Sequence, residues 1–440
     1  MNRIWTPAPP LPRKERRRIR VKISMFHLMP YRDLPDDFEK RYHSVWVDPP
    51  FHELSTPEKA GQFYNWTLDE LIHAANAGMD GVCVNEHHQN AYGNMPGPNL
   101  MGSVLARATA GMDVGIVQMG STLPTTQPPI RVAEEYAMLD CISGGRLIAG
   151  MPLGSPMDAN LCYGIPPIEQ RERYYEAHDL IMRAWQAKEV FPFNGKYTQL
   201  PFVNLWPRPV QQPHPPVWVP GSGSLSTWDF AIKHDHCYCF LSYFGSKLAK
   251  GVMDGFWEFV ASSNRDANPY RTGFLQLLVV SETDARAEEE YYAHIRYFYD
   301  KCLHIAPEFA APPGHQDYRS LVNTVKKQFK DVRSMRDEIP SYTFRDFVEK
   351  GFVIAGGPAT VRDMLTEAIK DLRVGNLMVL LHIGSMPHEL TLKNIDLFSR
   401  EVLPHVRDIW DDEWENRWWP EGLRAKRALP IEAVPAGGAS

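Results

Sequence analysis

Two stretches hold residue types able to do chemistry. The first is Val84-Asn-Glu-His-His-Gln89, where an apolar run ends in a carboxylate and two imidazoles. Adjacent histidines in an extended chain point to opposite faces, so His87 and His88 do not by themselves chelate one metal. One ring facing a site, the other packed behind it, gives a single acid–base group near neutral pH, with Glu86 orienting a ring or the backbone. A histidine pair that only caps the strand is the plainer alternative. The second stretch is Val219-Pro-Gly-Ser-Gly-Ser-Leu-Ser-Thr-Trp228. A strand delivers a glycine turn to a helix whose first N–H groups are free and partly positive, and Ser222, Ser224 and Ser226 add hydroxyl donors. That suits one phosphate monoester. Ser226 stands where a dinucleotide fingerprint wants Gly or Ala, and the motif follows the fifth strand and not the first, which argues against a dinucleotide. An ordinary glycine turn with serine caps is the alternative.

The elements that must position these residues alternate strand and helix from Val21 to about His405. Apolar runs predict strands at Val21–Leu28, Gly81–Val84, Val114–Met119, Arg146–Ala149, Val217–Val219, Tyr238–Leu241, Phe274–Val280 and Leu377–His382. They are continuous and not alternating, as in a parallel sheet covered by helices. Helical spacing fills the intervals, with Gly78 and Gly144 placed as stops. Eight such units without an early glycine fingerprint favour a closed α/β barrel of the (β/α)8 TIM type over an open doubly wound sheet. The expected organisation is a basic arm at 1–20, a barrel over 21–407 with insertions near 29–66, 151–169, 189–216 and 304–350, and an extension at 408–440. The last insertion is long enough to cover a site. Trp410, Trp414 and Trp418 recur every fourth residue and predict a helical stripe packed on the barrel or on a second subunit. Residues 433–440 read as a disordered tail.

Composition narrows the classes. A formal charge of −6 gives no general attraction to nucleic acid. Seven of the first twenty residues are Arg or Lys, but no apolar core follows them, so no signal peptide is expected; no apolar run is long enough for a membrane helix. The six cysteines show no zinc spacing, and no metal site is expected, although Cys237 and Cys239 share a strand face. A reduced, cytoplasmic protein with buried free thiols is the expectation.

A third stretch makes the pattern specific. Ser121 to Arg146 runs STLPTTQPPIRVAEEYAMLDCISGGR. It resembles the segment of the bacterial luciferase-like, flavin-dependent monooxygenases that ends in an LD-x-x-S-x-GR signature, here Leu139-Asp140, Ser143 and Gly145-Arg146. Glu86-His87-His88, the Gly356-Gly-Pro-Ala-Thr360 turn before a helix, and Leu397-Phe398 through Val402-Leu403-Pro404 are similar to further marks of that superfamily. The resemblance spans roughly 21–407 in the right order.

It implies a TIM barrel that binds FMN at its C-terminal mouth. By position, His87 matches a histidine near the flavin's reactive edge, with Glu86 beside it as the second catalytic candidate. Gly221, Ser222, Gly223 and Ser226 match the phosphate loop. Met119, Gly120, Ser121 and Thr122 match the strand end beneath the isoalloxazine, where a non-proline cis peptide is frequent, and Tyr163 matches a flavin-contacting loop. There are departures: Leu153 replaces a phosphate-contacting arginine, and Gly221 replaces an acidic residue, so light emission is not implied. Phosphate charge would fall to N–H groups, hydroxyls, Arg171 or Arg173.

The implied activity is that of a two-component monooxygenase. An NAD(P)H:flavin reductase supplies reduced FMN, and O2 is the co-substrate. Through a C4a-(hydro)peroxyflavin, a small apolar or aromatic substrate is hydroxylated or undergoes Baeyer–Villiger insertion, with Phe26, Met29, Tyr31, Trp46 and Phe51 near the mouth. Relatives are commonly homodimers. A deazaflavin-dependent oxidoreductase on the same fold, and a flavin-binding protein without turnover, are the alternatives.

Overall fold

The computed structural model describes residues 20–310, 312–314, 338–410 and 414–424. Most of the basic arm, the centre of the 304–350 insertion and the 433–440 tail lie outside the described residues. Strands are β1 Lys22–His27, β2 Gly81–Val84, β3 Gly115–Gln118, β4 Leu147–Gly150, β5 Phe191–Asn194, β6 Gln199–Val203, β7 Val217–Gly221, β8 Cys237–Phe240, β9 Thr272–Val280, β10 Val353–Gly356 and β11 Asn376–Leu380. Eight of them pair in parallel in the order β9-β11-β1-β2-β3-β4-β7-β8, and the β8–β9 pairing closes the ring. The fold is a (β/α)8 barrel.

The closure follows from the strands' composition. Every residue of β2, β3, β4, β8 and β9 is buried, which requires a covered outer face as well as a filled interior. Helices supply the cover, among them Pro57–Asn76, Pro98–Ala108, Ile130–Ser143 and Pro167–Gln186. Thr56 caps the first through the Lys59 N–H, and Gly144, at φ 68°, ends the third in the left-handed region that glycine adopts freely. β5 and β6 form an antiparallel hairpin within the 189–216 insertion. β10 was not expected. Its four residues pair with Leu277–Val280, so the second half of the long β9 bonds to β10 where its first half bonds to β8.

The Leu-Asp…Gly-Arg signature ties the barrel's N-terminal end. Arg146 is buried and donates to the Ser143, Val114 and Ala106 carbonyls and to Thr109 Oγ1, while Asp140 accepts from the Gln211 amide and side chain. The same end is plugged by the C-terminal segment. Trp419 packs on Trp218 with centroids 6.0 Å apart, and Trp218 Nε1 donates to the Trp418 carbonyl at 2.9 Å. The expected helical stripe is corrected here: Trp410, Trp414 and Trp418 lie outside any helix, on irregular, turn and bend backbone, and Trp418 and Trp419 are both buried. All six cysteines are free. Among the described residues, no helix is long and apolar enough to cross a membrane.

Candidate active site

All eight barrel strands are parallel, so the segments that follow β2, β3, β4, β7 and β8 meet at one end. Asn85 to His88 leave β2 there. His87 Nδ1 lies 3.0 Å from Asp158 Oδ2, and Asp158 Oδ1 accepts the His88 N–H at 2.8 Å. Ser155 Oγ donates to Asp158 Oδ2 at 2.7 Å. The aspartate is fully buried. Burial alone would raise its carboxyl, but the His87 ring, the Ser155 hydroxyl and the His88 amide outweigh it and hold the group below the ordinary carboxylate value. An ionised Asp158 only accepts, so His87 carries its proton on Nδ1 and offers Nε2 as a base.

His88 turns the other way. Its Nε2 lies 3.0 Å from Glu86 Oε1, which also accepts the Thr122 N–H at 3.2 Å. Burial pushes the His88 ring down, yet the bond to Glu86 and its charge lift it above the ordinary value. Glu86 therefore joins the loop after β2 to the loop after β3 and does not touch His87. Tyr163, half-exposed, sets its hydroxyl 3.3 Å from His88 Nδ1 and its ring edge-on at 4.7 Å.

The β3 end is locked from behind. The Met119–Gly120 peptide is cis. Tyr136 accepts the Ser121 N–H at 2.8 Å and donates to the Gly150 carbonyl at 2.6 Å. A Cβ on Gly120 would strike the Gly150 carbonyl and come within 2.6 Å of the Tyr136 hydroxyl, so this chain approach admits only glycine. Ser121 and Thr122 are buried, the former accepting from Asn99 Nδ2 at 3.0 Å.

After β7, Ser224 caps helix Leu225–Lys233: its Oγ accepts the Thr227 N–H at 3.3 Å and pairs with Thr227 Oγ1 at 2.7 Å. The helix's first turn begins at Leu225, with Gly221 and exposed Ser222 ahead of it. Gly223 has φ 100°, and a Cβ there would lie 2.8 Å from Val252. Arg173 is engaged elsewhere, paired with Glu169 at 2.8 Å and stacked on Tyr197.

A pocket of about 310 Å³ opens beside His87, lined in part by Tyr31, Phe51, Leu54, Asn90 and Asn94. Phe26 and Met29 are core residues, and Trp46 is buried. On the other side His87 meets Tyr92 edge-on at 4.9 Å, and Tyr92 meets Tyr243, which follows β8. Both tyrosines line a second cavity of about 550 Å³ together with Leu303, His304, Ile339 and Pro340 from the two ends of the last insertion.

Sequence reasoning missed Asp158, Asn85, Tyr92 and Tyr243. The only local signal for Asp158 was Ser155-Pro-Met-Asp158, a Ser-x-x-acid box, and the reciprocal Ser155–Asp158 bonds are its product. Asn85 has a buried side-chain oxygen with no partner. Asn85 directly follows the last residue of β2, at the strand's C-terminal end.

The sequence profile of the luciferase-like monooxygenases matches residues 50–374. An uncharacterized protein of Sinorhizobium fredii is 27% identical over 330 residues, 73% of this chain and 85% of that one. The oxygenase component of the flavin-dependent trigonelline monooxygenase of Acinetobacter baylyi is 28% identical over 183 residues, 41% of this chain and 49% of its own. Among solved structures, the oxygenating constituent of 3,6-diketocamphane monooxygenase from Pseudomonas putida, a type II Baeyer–Villiger enzyme in complex with FMN, superposes with a TM-score of 0.64 at 17% identity, over 88% of this chain and 99% of that one. A deazaflavin-dependent secondary alcohol dehydrogenase has a TM-score of 0.60 at 15% identity, over 89% and 100%.

Proposed function

Because the chain belongs to the luciferase-like monooxygenase family, we propose that it is the oxygenase component of a two-component system, taking reduced FMN from an NAD(P)H:flavin reductase. The observation that carries this reading is that an Asp158-held His87 and the glycine–serine turn at 221–226 stand at the same end of one barrel.

Three features of that mouth fit a flavin nucleotide. The first turn at Leu225 offers N–H donors and a partial positive charge to a phosphate, and Ser222 and Ser226 add hydroxyls. The unpartnered Asn85 oxygen suits a ring N–H donor. Met119 to Thr122 form a rigid floor without room for a Cβ at Gly120. When bound, reduced FMN supplies the two electrons with which O2 gives one oxygen atom to the substrate and the other to water.

The chain's own residues bind, orient and manage protons. His87, with Nδ1 committed to Asp158, accepts or returns a proton at Nε2. Glu86 holds His88 and Thr122 in register and acts as a positioning residue. The pocket lined by Tyr31, Phe51 and Leu54 suits a small apolar or aromatic substrate. Leu303, His304, Ile339 and Pro340, at the described ends of the last insertion, border the second cavity. Exposed Leu100 and Val104 on one helix and Met138 and Ile142 on its neighbour support a homodimer.

Deazaflavin-dependent hydride transfer is the second reading, favoured by the likeness to the alcohol dehydrogenase. The test is anaerobic loading with reduced FMN, then O2 and a panel of organic substrates. O2 uptake coupled to an oxygenated product is expected. Turnover with a deazaflavin, and none with FMN and O2, would select the second reading.

A further inference from the structure

At the end of the barrel opposite His87, three histidines converge. His178 lies on helix Pro167–Gln186, while His234 and His236 flank Asp235 in the turn that leads into β8. His178 Nε2 and His236 Nε2 are 2.9 Å apart, and each of the three rings offers one nitrogen within 4.8 Å of the other two. His178 and His236 are buried and His234 is half-buried.

Two facing imidazole nitrogens share one hydrogen, so at least one of them presents a lone pair. Neutral imidazoles with convergent lone pairs are the ligands a borderline divalent ion takes. A set of three nitrogens and no oxygen selects against calcium and magnesium. Tetrahedral zinc, with Zn–N of about 2.0–2.1 Å, needs ligand nitrogens about 3.3 Å apart, so His178 and His236 would separate by a few tenths of an ångström.

The surroundings complete the pattern. His178 Nδ1 lies 3.5 Å from Asp179 Oδ1, placing a carboxylate behind a ligand ring. The Phe230 ring packs on His178 at 4.7 Å, His234 at 4.6 Å and His236 at 6.0 Å, an apolar wall around the nitrogens. A cleft of about 770 Å³, lined by His214, His234 and His236 among others, provides entry and room for a water as fourth ligand.

We propose that His178, His234 and His236 bind one zinc ion, which staples the helix after β4 to the turn before β8 at the end of the barrel remote from the flavin mouth. Spacing hid this set from the sequence, since His178 and His236 stand 58 residues apart and neither pairs with a cysteine motif. The expectation of no metal is the one this proposal reverses.

The test uses the full chain, stripped with EDTA and exchanged into buffer. Calorimetric titration with zinc chloride is expected to give one site with a dissociation constant in the micromolar range or tighter, a rise in Tm, and no response to magnesium chloride. His234→Ala, at the half-buried position, should weaken zinc at least tenfold, while His405→Ala, at an exposed histidine elsewhere, should not. His178→Asn should do the same as His234→Ala where it folds; His234→Ala decides if it does not. No saturable zinc binding, an affinity unchanged in His234→Ala, or equal binding of magnesium would overturn the proposal.

Discussion

Asp158→Asn is the perturbation whose effect can be worked through from the site. The carboxylate accepts from His87 Nδ1, the His88 N–H and Ser155 Oγ, and it is buried. An amide retains one acceptor, which the fixed His88 N–H can claim. Its NH2 then faces His87 Nδ1 and the Ser155 hydroxyl. His87 must flip its tautomer to accept there, leaving a proton on Nε2 where a base is needed. A hydrogen bond to a charged group is worth about 1.5–3 kcal/mol, which corresponds to roughly 10- to 150-fold in rate. The assay is single turnover of pre-bound reduced FMN with O2 and substrate, scored as product per flavin oxidised. The rate of product formation should drop by that factor and the product yield should fall with it, while flavin affinity changes less than threefold, since the 221–226 turn is untouched. Ser155→Ala removes one bond to the same charged carboxylate but leaves the His87 tautomer in place, so it should cost less than Asp158→Asn. A folded Asp158→Asn protein with product yield within twofold of the parent would refute the positioning argument.

Other expectations follow from single contacts. Ser224→Ala removes the N-cap of the helix after β7, a change of about 1 kcal/mol, and should weaken FMN about fivefold by equilibrium titration. Glu70 is buried and accepts from His27, Arg32 and His388, so Glu70→Gln should destabilise by about 3–5 kcal/mol in urea denaturation. Burial opposes ionisation of Glu70, but these partners hold it well below its ordinary 4.5; its contribution is present above that pH and lost on acidification. The bond to Glu70 raises His388 above 6.5, so that contribution is full below 6.5 and lost as pH rises; the pair predicts greatest support between about 4.5 and 6.5, and a flatter pH–Tm profile in Glu70→Gln. Trp419→Ala empties the plug beneath Trp218 and should cost about 3–5 kcal/mol by the same denaturation assay.

The barrel was legible because its strands are buried on both faces, and that leaves unbroken apolar runs such as Gly81–Val84 and Phe274–Val280. β10 escaped notice because Val353–Gly356 is a short run that leads straight into a glycine–proline turn. The tryptophans at the C-terminus mimic helical spacing, yet what they answer to is the open end of the barrel; tertiary packing overrode a local period. In the site, His87 and the 221–226 turn could be placed because each follows a strand end. Asp158 could not, since its partner is 71 residues away and the π-helical turn that carries it, Met157–Cys162, has no periodic signature. The same limit hid Glu70 and the three-histidine cluster, whose members are distant in sequence and meet only in the folded barrel.

The most direct test of the central claim is a crystal structure of the complex with FMN, soaked under anaerobic reduction. The account predicts density for the phosphate at the N–H groups of residues 221–226 and for the ring over Met119–Thr122, with its reactive edge toward His87 Nε2. Flavin density outside the β2, β3 and β7 strand ends, or a ring edge turned away from His87, would contradict it.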